Sequence, residues 1–226
     1  MQNLSLRLRT IASLVPHGAR VCDIGTDHGY LSIYLRLSGI ANSIIATDIN
    51  KAPLESARKN IEKFGAENIE LRLCNGLEGI EENEADTFII AGMGGEVISG
   101  IIERGKKVIN NNNLTLILQP TTSPEYLRRF LYSKGFEITD EIPLEENSKL
   151  YSVMRVRYIG ESHDISEAFC FIGKIKPSCD AGKKYIAKQQ RRCLKCAEQL
   201  QNVPYKQEEY LYYKTLTQDI KKLAGE

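Results

Sequence analysis

Three observations predict an α/β fold, a mostly parallel sheet with helices on both faces. From Leu4 to Gly135, short apolar runs alternate with segments of helical periodicity. The first apolar run passes into a glycine-bearing turn that opens a helix, VCDIGTDHGY at residues 21–30. The last two runs, Phe136 to Ile142 and Leu150 to Tyr158, alternate apolar and polar residues and are joined by EENSK, which predicts an antiparallel pair closing the sheet.

The elements follow in order. Leu4, Leu8, Ile11 and Val15 recur at helical spacing, and Pro16 and Gly18 end that helix. Arg20 to Asp23 is a short buried strand, and Tyr30 to Leu37 a helix stopped by Gly39. Ser43 to Thr47 is a second buried strand ending at Asp48. Pro53 lies in the first turn of a helix that runs to Phe64 and is closed by Gly65. Ile69 to Leu73 and Ala85 to Ala91 are further strands, the latter followed by Gly92-Met93-Gly94-Gly95. A helix is predicted from Glu96 to Val108, a strand from Leu114 to Gln119, and a helix from Pro124 to Gly135. A parallel sheet capped by a reversed hairpin is the layout of class I methyltransferases, with their Rossmann-like sheet, and not of a plain dinucleotide dehydrogenase.

Beyond Gly160 the strand signals stop. Tyr185 to Leu200 and Glu208 to Leu223 have helical spacing and are joined at NVP, predicting a helical hairpin. The chain of 226 residues suits one large domain or a domain plus an appendage. A boundary near residues 160–165 divides it into 1–160 and 161–226. Only the Asn run at 110–113 is low in complexity. No apolar run is long enough to span a bilayer, and MQNLSLRLRT has no apolar signal core. Six irregularly spaced cysteines without such a signal predict reduced thiols in a cytoplasmic protein.

The glycine-bearing turn is the place to look for chemistry. A helix N-terminus collects unpaired N–H groups and receives anionic or electron-rich ligand groups. Gly25 allows close approach of a ligand, Gly29 allows tight packing, and Asp48, about twenty residues on, suits ribose hydroxyls. Asp23 and Asp27 put two carboxylates around one turn. Like charges repel a pyrophosphate, whereas a sulfonium and an ammonium suit this turn, which favours S-adenosyl-L-methionine over a dinucleotide. Cys74-Asn75-Gly76-Leu77 follows the third strand, where an adenine ring is usually met: Asn75 is a candidate for its exocyclic amine and Gly76 and Leu77 for its flanks, or Asn-Gly simply makes a turn. After the fourth strand, Ala91-Gly92-Met93-Gly94 stands where methyltransferases acting on exocyclic amines often carry Asn-Pro-Pro-Tyr. It makes room rather than contacts, which suits a ring nitrogen as methyl acceptor.

DIGTDHGYL, IAGMGG, and LILQP followed by LRRFLYSKGFEITDE resemble the bacterial tRNA (adenine-22-N1)-methyltransferase family, also called TrmK. The similarity covers the first 160 residues in order, and the departures lie mainly in the cysteine-rich, basic tail. The resemblance implies an S-adenosyl-L-methionine-dependent fold with a coiled-coil-like C-terminal domain, acting on N1 of an adenine in the D-arm region of tRNA. Asp23, Gly25, Asp27, His28 and Tyr30 fall on the family's first motif, with Thr26 between them, and Ala91 to Gly95 on its fourth. Gln119 and Pro120 fall on a strand-end motif beside the substrate mouth.

Attack by a ring nitrogen makes a cationic product, so the protein must position the base and stabilise growing positive charge. Asp27 is the candidate catalytic residue, as orienter of the exocyclic amine or as base; the bland alternative is a cap on the following helix. His28 shapes the pocket or is simply structural, and Tyr30, Tyr126 and Tyr151 are candidates to stack on a splayed base. Between Ile172 and Cys196 stand eight bases and one acid, Asp180; Lys184, Lys188, Arg191, Arg192 and Lys195 fall largely on one side of a helix and predict a grip on tRNA phosphates. Cys193-x2-Cys196 lacks a second close pair, so no metal is expected, and a monomer is. The competing functions are a small-molecule methyltransferase, which would carry a lid over its site, and a non-catalytic RNA- or nucleotide-binding module, which would have lost the turn or the ribose acid.

Overall fold

The computed structural model describes residues 4–225. Residues 1–3 and 226, which the expected division of the chain includes, lie outside the described residues. The elements are α1 (Leu6–Ser13), β1 (Ala19–Ile24), α2 (Tyr30–Leu37), β2 (Ala41–Asp48), α3 (Lys51–Phe64), β3 (Ile69–Leu73), β4 (Thr87–Gly94), α4 (Gly95–Arg104), α5 (Lys106–Ile109), β5 (Thr115–Thr122), α6 (Pro124–Ser133), β6 (Phe136–Glu146), β7 (Lys149–Tyr158), α7 (Glu167–Ile172), α8 (Asp180–Leu200) and α9 (Gln207–Ala224). Among the described residues the strands form one seven-stranded sheet in the order β3-β2-β1-β4-β5-β7-β6. β1 to β5 run parallel and β7 is antiparallel to both neighbours. β1 lies between β2 and β4, so strand order reverses there, and a crevice opens at the carboxyl ends of these strands.

Helices cover both sheet faces. On one, Ile98, Ile102, Leu127 and Leu131 pack onto Phe88, Ile90, Leu116 and Leu118. On the other, Ile11, Leu31 and Leu35 pack onto Val21, Ile44, Ile89 and Ile117. A third apolar cluster joins α7, α8 and α9 through Phe171, Ile172, Ile186, Cys193, Leu216 and Ile220. A buried polar joint links this helical unit to the sheet. Arg128 of α6 and Glu141 of β6, both with fully buried side chains, pair at 2.6 Å. Arg128 also donates to the Cys170 and Phe171 carbonyls at 2.6 and 3.1 Å and to the Tyr185 hydroxyl at 3.1 Å.

β4 runs on through Gly92 and Met93 to Gly94, beyond its expected end at Ala91; the other main differences from expectation have tertiary reasons. The helix predicted over 96–108 breaks at Gly105, where any Cβ would collide with Leu77. β6 runs past Ile142 through Pro143; it is the edge strand, where a missing N–H costs little. That extension carries Glu146 and Asn147 to the crevice. α8 begins at Asp180 because the Cys179 sulfur caps Gly182 N–H at 3.4 Å, and Gly182, which reads as a breaker, makes room for the Lys176 carbonyl. α7 is too short for a periodic signal.

Candidate active site

The turn after β1 is built by left-handed backbone. Gly25, Asp27 and Gly29 have φ of 75°, 55° and 74°. Glycine adopts this region without penalty, and aspartate is among the few other residues that do so readily. The Gly25 and Thr26 N–H groups both donate to the Thr47 carbonyl at 2.9 Å, tying the turn to β2. A Cβ on Gly25 would collide with the Met93 methyl, so the turn and the end of β4 face each other closely. The N-cap of α2 is Gly29, with no side-chain cap bond. Asp27 is therefore not the cap of that helix. Its side chain is 74% exposed, with one oxygen 3.6 Å from His28 Nε2. The His28 ring lies 5.9 Å from that of Tyr30.

Beneath this turn Asp23 is 4% exposed, and its Oδ2 accepts from Thr26 Oγ1 at 2.8 Å and Ser32 Oγ at 2.7 Å. Burial raises its carboxyl above the ordinary value; the two hydroxyls act in the opposite direction, and the Asp48 charge adds to the rise. Asp48 accepts from Asn50 N–H at 2.9 Å. The Thr47 hydroxyl is buried with no hydrogen-bond partner among the described residues.

These groups line a cavity of about 770 Å³. Of the expected cofactor residues it brings together Asp23, Gly25, Thr26, Asp27, His28, Tyr30, Asp48, Asn75, Gly76, Ala91, Gly92 and Met93. Two do not reach it. Leu77 belongs to the core beneath Gly105, and Gly94 is the N-cap of α4. Gln119 and Pro120 are buried, and neither lines the cavity. Gln119 is 0% exposed; its Oε1 accepts from Gly92 N–H at 3.1 Å and Arg7 Nη1 at 2.8 Å, and its Nε2 donates to the Pro120 carbonyl. Tyr30 and Tyr151 line the cavity and Tyr126 does not.

Sequence reasoning missed Arg7, Thr47, Glu146, Asn147 and Arg104 in the lining, and Ser32 behind it. Ser32 left a trace, as the one polar residue buried on an otherwise apolar helix face. Arg7 and Glu146 left none, because they are 139 residues apart and meet only in the fold.

The basic stripe on α8 is not free of acids, as its sequence had implied. Lys184 bonds Glu145 at 2.7 Å and Asp180 at 2.9 Å, and these bonds, Glu145 first, raise its ammonium above the ordinary value. Arg192 bonds Glu125 at 2.8 Å and lies over the Phe171 ring. The matching acids come from β6 and α6, out of view in the local sequence. Lys188, Arg191 and Lys195 are exposed and have no ion pair among the described residues. Burial pushes the Cys193 thiol up to about 11. No group of three or more His, Cys, Asp or Glu able to hold a metal occurs among the described residues, and no helix there is long and apolar enough to cross a membrane.

Residues 4–154 match the family described as a methyltransferase domain. A tRNA (adenine(22)-N(1))-methyltransferase of Bacillus subtilis is 40% identical over 167 residues, covering 74% of this chain and 68% of that protein. The crystal structure of the B. subtilis m1A22 tRNA methyltransferase TrmK matches with a TM-score of 0.85 at 31% identity, over 99% of this chain and 100% of that one. A Streptococcus pneumoniae protein in complex with S-adenosyl-L-methionine matches with a TM-score of 0.81 at 33% identity, over 98% and 100%. With the domain matched over well over half its length and a relative this similar, the chain belongs to the tRNA (adenine(22)-N1)-methyltransferase family.

Proposed function

We propose that this protein methylates N1 of adenine 22, in the D-arm region of tRNA, using S-adenosyl-L-methionine. The observation that carries the reading is a cavity lined by three carboxylates, Asp23, Asp27 and Asp48, and by Ala91, Gly92 and Met93, which offer no side chain to clamp an amine. The residues fit this cofactor. Both hydroxyls on Asp23 bond the same oxygen, which leaves the other to an ammonium. Asp48 suits ribose hydroxyls, and Asn75 and Gly76 flank the adenine end. A pyrophosphate would meet three carboxylates instead.

Bound there, S-adenosyl-L-methionine supplies a methyl group activated by its sulfonium for the N1 lone pair of the target adenine. Asp27, exposed at the turn and held in a left-handed conformation, orients the base through its exocyclic amine and offsets the charge that grows on the ring. Tyr30 and Tyr151, which line the cavity, stack on the splayed base that access to N1 requires. Incubation with labelled cofactor and unmodified tRNA, followed by digestion, should yield N1-methyladenosine; label on another nucleoside, or none, defeats the reading. In the same assay Asp27→Asn should lower kcat about 100-fold with cofactor affinity near that of the wild type. Asn keeps the left-handed turn, so wild-type turnover would remove the carboxylate from the chemistry.

Residues 161–226 act as the tRNA-binding domain of a cytoplasmic enzyme whose site is complete in one chain, so that a monomer suffices. Lys188, Arg191 and Lys195, without an ion pair among the described residues, recur along one face of α8 over about 10 Å of helix. Phosphate contacts of this kind position RNA without reading its sequence. Replacing Lys188 and Arg191 by Glu should weaken tRNA binding and flatten its salt dependence by about one charge per lost phosphate contact. An unchanged salt slope in filter binding would place the grip elsewhere.

A further inference from the structure

We propose that Arg7 touches the target adenine and that its charge favours release of the methylated product. The inference rests on the adenine-N1 reading above. Arg7 comes from α1, outside the sheet, yet lines the cavity with its side chain 27% exposed. It is held from two sides. Its Nη1 donates to Gln119 Oε1 at 2.8 Å, an acceptor that is itself fully buried and bonded to Gly92 N–H. Its backbone N–H donates to Glu146 Oε1 at 3.0 Å, and its Nε lies 3.8 Å from Glu146 Oε2. Nη2 has no hydrogen-bond acceptor among the described residues.

The place it occupies is informative. Gly92 sits at a register shift in β4 with φ of 78°, and a Cβ there would lie 3.2 Å from Arg7 Nη1. The missing side chain at Gly92 is thus the space that the guanidinium fills. Amine-methylating enzymes put a base-clamping side chain at this end of the fourth strand; here a planar cation reaches the same place from a different element. A guanidinium stacks on a nucleobase and offers a fork of donors. Neutral adenine accepts both contacts. N1-methyladenine carries a positive charge, so the same contact turns repulsive once the methyl group has moved. Glu146, with a carboxylate oxygen 3.8 Å from Nε, offsets part of this repulsion and sets its scale below that of a free cation.

The test compares the affinity of wild-type protein, Arg7→Gln and Arg7→Lys for two synthetic tRNAs, one with adenine and one with N1-methyladenine at the target position, with S-adenosyl-L-homocysteine present. Wild-type protein should hold the methylated tRNA on the order of tenfold more weakly. Arg7→Gln should bind the two tRNAs nearly equally, whereas Arg7→Lys should bind both more weakly and keep the preference. An unaltered preference in Arg7→Gln overturns the proposal. General damage to the fold would weaken both tRNAs alike and leave their ratio in place, which also counts against it. Failure of the wild type to methylate adenine N1 at all would overturn the functional reading, whatever the ratio.

Discussion

Asp23→Asn should weaken S-adenosyl-L-methionine binding about 100-fold and at the same time raise the melting temperature of the cofactor-free protein at neutral pH. The two effects have one cause. Asp23 is buried and its carboxyl is raised by that burial, so the ionised form is disfavoured in the folded protein. A folded-state value above the unfolded one means that the folded protein binds more protons. The associated stability is present at acid pH and is lost as pH climbs through the raised value. At neutral pH the carboxylate is ionised in the unfolded chain, so folding either buries that charge or takes up a proton; both cost stability, and Asn removes the cost while still accepting from Thr26 and Ser32. With cofactor, the balance reverses: a buried carboxylate facing an ammonium makes a charge-assisted bond of about 1.5–3 kcal/mol, which is roughly the 100-fold loss expected. Calorimetric titration and melting curves at acid and neutral pH check both halves. Cofactor affinity unchanged in Asp23→Asn would take the ammonium away from this residue.

Glu141→Gln should cost about 3–5 kcal/mol of stability, because it leaves the Arg128 guanidinium buried without its counter-charge. For a chain of this size that is a fall in melting temperature of roughly 10 °C or more. The surroundings give Arg128 little room to adjust. Gly173, at φ of 58°, is packed so closely that a Cβ would meet both Glu141 and Arg128, and Lys174 N–H donates to Glu141 Oε2 at 3.0 Å. Replacing both partners together, as Arg128→Met with Glu141→Leu, should recover most of the loss, since the penalty belongs to the unpaired charge and not to the absence of the pair. Thermal denaturation of the single and double variants decides the matter; a double variant as unstable as the single one would mean that the bonds from Arg128 to Cys170, Phe171 and Tyr185 carry the joint.

How much of this was legible in the chain depends on the range of the interactions. The strands and most helices were, because periodicity, Pro53 in a first turn and Gly65 at a helix end act within a few residues. The turn Asp23 to Tyr30 was legible for the same reason: strand, glycines, acids and helix start are contiguous. So was the preference for a cationic cofactor, which follows from the sign of the charges in that turn. Asp27 was open between cap and ligand group until Gly29 proved to hold the cap position.

Residues whose surroundings the local sequence does not show share the opposite property. Gln119 stands at a strand end, as binding residues do, but its amide is consumed by Arg7, Gly92 and Pro120. The basic stripe read as unmatched because its acids, Glu125 and Glu145, belong to other elements. Arg7 and Glu146 could not be found at all, since nothing within a helical turn of either marks it. Periodicity, turn chemistry and the charge of a contiguous motif are local forces, and they determine the fold class, the cofactor turn and the type of donor. Which distant side chains close the cavity and which charges are already paired is a matter of packing between elements far apart in the chain, and only the folded structure decides it.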